Sequence, residues 1–344
     1  MFRRSMITFI CRKEDVFMCN VFDYQSVLAP YMNGLIAIKE SQGFIMIRMK
    51  WFFKEFDSFV INYGLKEPVI TYKLVEAWRK TRINDCGRTL YEKCSNLVQL
   101  ARYMCERGKS SYIMRLPKFK NDRGYTPYIF SEDQMQAIFE ESGRLKRESH
   151  RMNDPIIAIP CLIRLLYSTG LRITEAISIR NEDVHLDQSY IHIRESKNGS
   201  ERLVPVCNTL KQSLMQYANY RNKLPLKGLQ ESAHLFFVKL DGTEVSAICV
   251  YKWFRKVYIK CGIPYKGDRF GPRLHDLRHS MAVHTLAKLI NEGMDVYTAL
   301  PLLSACLGHT QLSSTEHYVR LTCSEYPELL KQCSSLNDFI YPKE

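Results

Sequence analysis

The chain has 344 residues, with 49 Lys and Arg against 36 Asp and Glu, and so a formal charge of +13 at pH 7. That length suffices for two domains with separate cores, and the basic balance points to a polyanionic partner, against the plainer alternative of a charged, solvated surface. The twelve cysteines are scattered singly from Cys11 to Cys333 with no C-x-x-C pair, a usage that argues against a secreted disulfide framework and for reduced thiols in a cytoplasmic protein.

Residues 1–25 read as an N-terminal extension. Its stretch MFRRSMITFICRKEDVF has an apolar run of only about six residues before charged residues intervene, too short for a signal peptide. No later segment has the length of a membrane span. Residues 26–115 read as a helical domain. SVLAPYMNGLIAIKESQG, MIRMKWFFKEFDSFVINYG, TYKLVEAWRKTRI and SNLVQLARYMCERG each repeat apolar residues at three- and four-residue spacing, and each stops at a glycine or a break. Residues 1–127 hold 22 basic and 12 acidic side chains, the remainder 27 and 24, so most of the excess charge belongs to this first part.

Residues 116–130, with Pro117, Gly124 and Pro127, have no clear period and read as a linker. Ser131 then opens a helix, with Gln134 as its capping-box partner. Helical PIIAIPCLIRLLYSTG is followed by alternating SYIHIRES, a turn at Lys197-Asn198-Gly199, and RLVPV, an antiparallel hairpin. The chain from Thr209 to Leu336 is again mainly helical. Residues 131–325 make one mixed domain. In the tail, 326–344, Leu329, Leu330, Cys333, Leu336 and Phe339 form an apolar stripe that either folds back on its own domain or docks on a neighbouring protomer.

The densest concentration of chemistry is RLHDLRHSMAVH, residues 273–284. His275 and His279 have the i, i+4 spacing of a two-histidine zinc helix. The residue after the first histidine is Asp276 rather than the glutamate of a metalloprotease, and Arg278 puts a fixed positive charge beside any cation. An anion site fits better, because a guanidinium grips two phosphate oxygens and a histidine one turn before it contacts a third. Alone, this pair is also what an ordinary helix surface carries.

Other fragments turn the stretch into a pattern. STGLRITEA sets Arg172 after a Gly-Leu turn with Glu175 three residues on, ESKNGSERLVPV puts Lys197 at the hairpin tip, and LGHTQLSSTEHYVRL supplies His309 and Tyr318. The order Arg172, Lys197, His275-x-x-Arg278, Gly-His309, Tyr318 resembles the tyrosine recombinase, or phage integrase, family, over about residues 130–325 and more loosely over 26–115. The resemblance implies a mainly α fold: a helical, SAM-like core DNA-binding domain, then a mixed α/β catalytic domain with a small antiparallel sheet, the two forming a clamp around DNA. It implies a metal-free, ATP-free strand transfer with no cofactor. Tyr318 attacks the scissile phosphate to give a 3′-phosphotyrosyl link, Arg172 and Arg278 hold the non-bridging oxygens, and His275 assists proton transfer at the nucleophile. Lys197 protonates the leaving 5′-oxygen, His309 hydrogen-bonds the phosphate and Glu175 orients its neighbours.

The remaining basic residues of the hairpin, Arg194 and Arg202, read as DNA-backbone contacts. His279 reads as packing beside the site, and His317 as helix surface. The implied partner is double-stranded DNA with paired specific sites, bound by a tetramer. The brevity of the segment before the first helix leads one to expect no additional arm-site domain. Within the family, the sequence LPLLSACLGHTQLSSTEHYVRLT looks more like the integrases or transposases of mobile elements than like Xer-type chromosome or plasmid resolvases. A type IB topoisomerase would share the chemistry, and a silent DNA-binding protein would share the surface. Against the silent protein, every active-site position carries a competent residue.

Overall fold

A computed structural model describes residues 22–118, 126–147, 150–194, 201–265, 267, 271–309 and 311–328. The chain divides into two compact units, Met1–Arg123 and Gly124–Glu344. In the first, the four apolar-periodic runs form helices α1 (Ala29–Ser41), α2 (Ile47–Tyr63), α3 (Tyr72–Lys80) and α4 (Gly87–Glu106). The last begins about two turns ahead of the run from Ser95, because only its second half carries the strong apolar face. Phe53, Phe56 and Trp78 are fully buried, and Trp78 meets Phe52 and Phe56 edge-on, at 5.9 Å between centroids in each case. Each such ring contributes roughly 2 kcal/mol of burial. One charge lies inside: the Asp57 carboxylate accepts the backbone N–H groups of Gln25 and Ser26 at 2.9 Å each, which fixes the entry of the chain into α1.

The second unit opens with α5 (Glu132–Gly143), where Ser131 and Gln134 form the reciprocal capping box expected from the sequence. Then come α6 (Ile159–Thr169), the single turn α7 (Ile173–Ile177) and a 3-10 turn at Asn181–Asp183. The hairpin is strands β2 (Tyr190–Ile193) and β3 (Arg202–Pro205), and a third strand, β1 (Val184–His185), pairs with β2. All pairs are antiparallel, with Ile191 opposite Val204 and Ile193 opposite Arg202. Ile191, Ile193, Val204 and Val206 are buried, so strand alternation puts Arg202 on the core-facing side. The hairpin turn with Lys197 lies outside the described residues.

Helices α8 (Asn208–Asn222), α9 (Ala247–Lys260), α10 (Asp276–Asn291), α11 (Val296–Leu307) and α12 (Ser313–Glu325) follow. The centre of the unit is α10, which packs against α6, α11 and α12 through Leu277, Met281, Ala282, Val283 and Leu286. Two left-handed glycines end the helices beside it, Gly170 after α6 (φ 63°) and Gly308 after α11 (φ 64°). A Cβ on Gly170 would come within 2.1 Å of the Met281 side chain, and one on Gly308 within 2.8 Å of the Arg202 guanidinium. Both turns therefore need glycine for conformation and for space. Among the described residues no helix is long and apolar enough to cross a membrane. The apolar stripe from Leu329 lies outside them.

Candidate active site

The site forms where the Gly170 turn, the start of α7, strand β3, the first turns of α10 and the α11–α12 connection meet. Its innermost group is Arg278, only 2% exposed. Its Nη1 donates to the Gly170 carbonyl at 2.5 Å, and its Nη2 donates to the Leu307 carbonyl at 2.7 Å and to His309 Nε2 at 2.8 Å. The carbonyls are exposed to it because α6 and α11 end at glycines, leaving their last C=O groups without helical partners. Burial, and then the nearby Arg172, pull the Arg278 pKa down to about 10, which still leaves it charged at neutral pH.

Arginine donates and never accepts, so His309 Nε2 must be the bare nitrogen. Its proton then sits on Nδ1, which donates to Thr315 Oγ1 at 2.8 Å. Burial, Arg278 and Arg172 lower the His309 pKa to about 4, in keeping with a neutral ring.

Across the pocket the arginines are held differently. Glu175, buried in the first turn of α7, accepts from the Arg172 backbone N–H at 3.0 Å and from Arg172 Nη1 at 2.8 Å. Its second oxygen also takes Arg202 Nη2 at 2.8 Å. Burial alone would raise this carboxyl, but the hydrogen bonds from Arg202 and Arg172 outweigh it and hold the pKa below its ordinary value. Arg202 is thus turned inward, its side chain 11% exposed, with Nε and Nη1 left without a hydrogen-bond partner among the described residues. Its parity with Val204 and Val206 was the available signal. Arg194, by contrast, is 45% exposed and pairs with Glu182 and with the buried Asp183.

Tyr318 is 1% exposed. Its ring lies parallel to that of His309, with centroids 6.5 Å apart, and next to His317 at 4.0 Å. The hydroxyl meets His279 Nδ1 at 3.0 Å. Burial raises the Tyr318 pKa, an effect that the charges of Arg278 and Arg172 only partly offset, so the resting phenol is protonated. Among the described residues His275 makes no hydrogen bond to Tyr318. Its ring packs edge-on against His279, 4.9 Å between centroids, and keeps surface open to solvent. Protein packed behind it and the charges of Arg278 and Arg172 bring its pKa to about 4.

The place beside the hydroxyl expected for His275 is therefore held by His279, which the sequence reading set aside as packing. The structure brings Arg172, Glu175, His275, Arg278, His309 and Tyr318 together, adds Arg202 and His279, and leaves Arg194 outside the cluster. Three arginines against the single carboxylate of Glu175 give the cluster a strong positive field with all three histidines neutral. That suits a phosphate group, whose charge grows as a fifth oxygen bonds to phosphorus.

Residues 129–325 match the model of the phage integrase family, and the chain belongs to that family. A relative in Sinorhizobium fredii, y4rB, named for the integrase/recombinase class, is 31% identical over 77% of this chain and 83% of its own. The tyrosine recombinase XerA of Pyrococcus furiosus is 27% identical over 52% of this chain and 56% of its own. The integrase of transposon Tn1549, solved with a circular intermediate DNA, shares the fold with a TM-score of 0.59 at 15% identity, over 84% of this chain and 94% of that one.

Proposed function

We propose that the protein is a site-specific DNA recombinase that cuts and rejoins strands through a 3′-phosphotyrosyl intermediate, in the integration or transposition of a mobile element. The observation that carries this is Arg278, fixed by two carbonyls and His309 next to the buried Tyr318. Arg172 and Arg278 bind the non-bridging oxygens, His309 adds a hydrogen bond, and Glu175 holds Arg172 in place. His275, open to solvent, assists proton transfer from its place against His279. Lys197 is the proposed acid for the leaving 5′-oxygen. One phosphate ester is exchanged for another, so no ATP is needed, and the arginines supply the charge compensation that a metal ion gives elsewhere.

The partner is double-stranded DNA carrying paired sites, bound by a tetramer, with residues 26–115 and 131–325 both contacting the duplex and Arg194 touching its backbone. The likeness to y4rB supports the mobile-element reading, and the likeness to XerA favours resolution of chromosomes or plasmids as the second. Incubating the full chain with a nicked, site-containing duplex in EDTA is expected to give a denaturation-resistant adduct. An adduct that survives Tyr318→Phe, or none on the true site, overturns the proposal. Exchange between two sites on separate molecules supports integration, while exchange confined to sites on one molecule supports resolution.

A further inference from the structure

We infer that His279 is the catalytic residue that takes the proton of Tyr318 during strand cleavage, its Nδ1 receiving it as the phenol oxygen bonds to phosphorus. The inference deepens the recombinase reading and rests on it. The hydroxyl lies 3.0 Å from His279 Nδ1, and the Arg278 guanidinium also acts on it. The guanidinium has no acceptor, whereas His279 with its own proton on Nε2 presents a bare Nδ1, which accepts from the phenol and can take its proton. A nucleophile and base within hydrogen-bond reach, on rigid elements, is the arrangement that general-base activation requires. Here the elements are α10 and α12, packed against each other.

His309 and His275 are otherwise engaged. His309 has Nε2 on Arg278 and Nδ1 on Thr315. His275 packs against His279 with the rings nearly perpendicular, and among the described residues it makes no hydrogen bond to Tyr318. Bulk water is excluded from a side chain that is 1% exposed. In the empty site His279 is neutral, because burial and then His275, His317 and Arg278 disfavour its charged form. A bound phosphodiester changes that balance. Its negative charge offsets the repulsion from Arg278, and the charge gained at phosphorus during attack stabilises an imidazolium next to the nucleophile.

The step balances as follows. The phenol O–H bond breaks and its proton forms an N–H bond on His279. The oxygen's electron pair forms the bond to phosphorus, and the phosphorus–O5′ bond breaks with its pair on O5′, which is protonated from the acid proposed at Lys197. The products are a 3′-phosphotyrosyl link, a 5′-hydroxyl and a protonated His279. Religation returns the same proton to the departing phenol oxygen, so one residue serves both directions.

The test uses the full chain and a duplex selected from a random-sequence pool by retention on the Tyr318→Phe protein, nicked to trap the adduct. His279→Asn keeps an acceptor near the Nδ1 position but cannot become charged. It is expected to slow single-turnover adduct formation by about a hundredfold or more, with duplex binding and Tm close to those of the parent. Replacing Tyr318 with 3,5-difluorotyrosine, a more acidic phenol, is then expected to restore at least tenfold of that loss in the His279→Asn background. A variant within a few-fold of the parent overturns the inference, as does a defect that fluorination leaves unchanged (a packing role), or faster cleavage (a latch on the nucleophile). If His279→Asn fails to fold, His279→Gln is read by the same criteria. An adduct that persists in Tyr318→Phe overturns the recombinase reading instead, and separates the two failures.

Discussion

The two halves of the pocket hold their arginines by opposite means. On the α10–α11 side, Arg278 is seated by two backbone carbonyls and a neutral histidine. On the α7–β3 side, Arg172 and Arg202 share one carboxylate, Glu175. Carbonyl dipoles orient a guanidinium without cancelling its charge, whereas a carboxylate does both. Arg278 therefore keeps its full charge for an anion, and the opposite side gives up half of its own to stay ordered. Position is fixed on both sides, but only one is electrostatically spent.

The largest expected break in this contrast is Arg278→Lys. One ammonium cannot satisfy Gly170 O, Leu307 O and His309 together, and we expect single-turnover cleavage to fall by about 10²–10³, the scale of losing one transition-state donor. Glu175→Gln attacks the other side. Two inward arginines lose their counter-charge, and we expect about 3 kcal/mol of stability to go, read by urea denaturation. Because the folded pKa of Glu175 is depressed, its contribution is present above the unfolded carboxyl value of about 4.3 and is lost as pH falls through the folded value. The variant should lack that acid-limb dependence.

Gly170→Ala tests the turn that supplies one carbonyl. A left-handed alanine pressed on Met281 is expected to destabilise by roughly 2–4 kcal/mol and to lower cleavage with it. A milder effect comes from pH. His275 and His309 have folded pKa values near 4, below the unfolded value of about 6.5. The unfolded chain then binds more protons as pH falls from about 6.5 toward 4, so Tm should decline across that window. His309→Gln should flatten the slope. The smallest effect is expected for Arg194→Ala, which should reduce the salt slope of duplex binding by about one.

Much of the architecture was readable wherever it depends on neighbours in sequence. The Ser131–Gln134 box, the glycine stops of α2 and α6, and the Arg172–Glu175 pair are all written within a few residues. What could not be read depends on parts of the chain that meet only after folding. His279 lies 39 residues from Tyr318. The helical spacing said that His275 and His279 share a face, but not which of them α12 would cover. The inward turn of Arg202 is written in its parity with Val204, but its partner Glu175 is 27 residues away. Strand β1 has two residues, too few for any alternation to register.

The seat of Arg278 has one more consequence. Its acceptors at Gly170 and Leu307 are main-chain oxygens, which every amino acid provides. Changes of side chain around Leu307 can accumulate without erasing them, whereas an inserted or deleted residue in either turn moves the oxygen itself. Outside the two glycines, the seat of Arg278 is thus tolerant of drift in spelling and intolerant of drift in length. Around the two glycines, which must stay, side chains in these turns can be varied before the number of residues is altered.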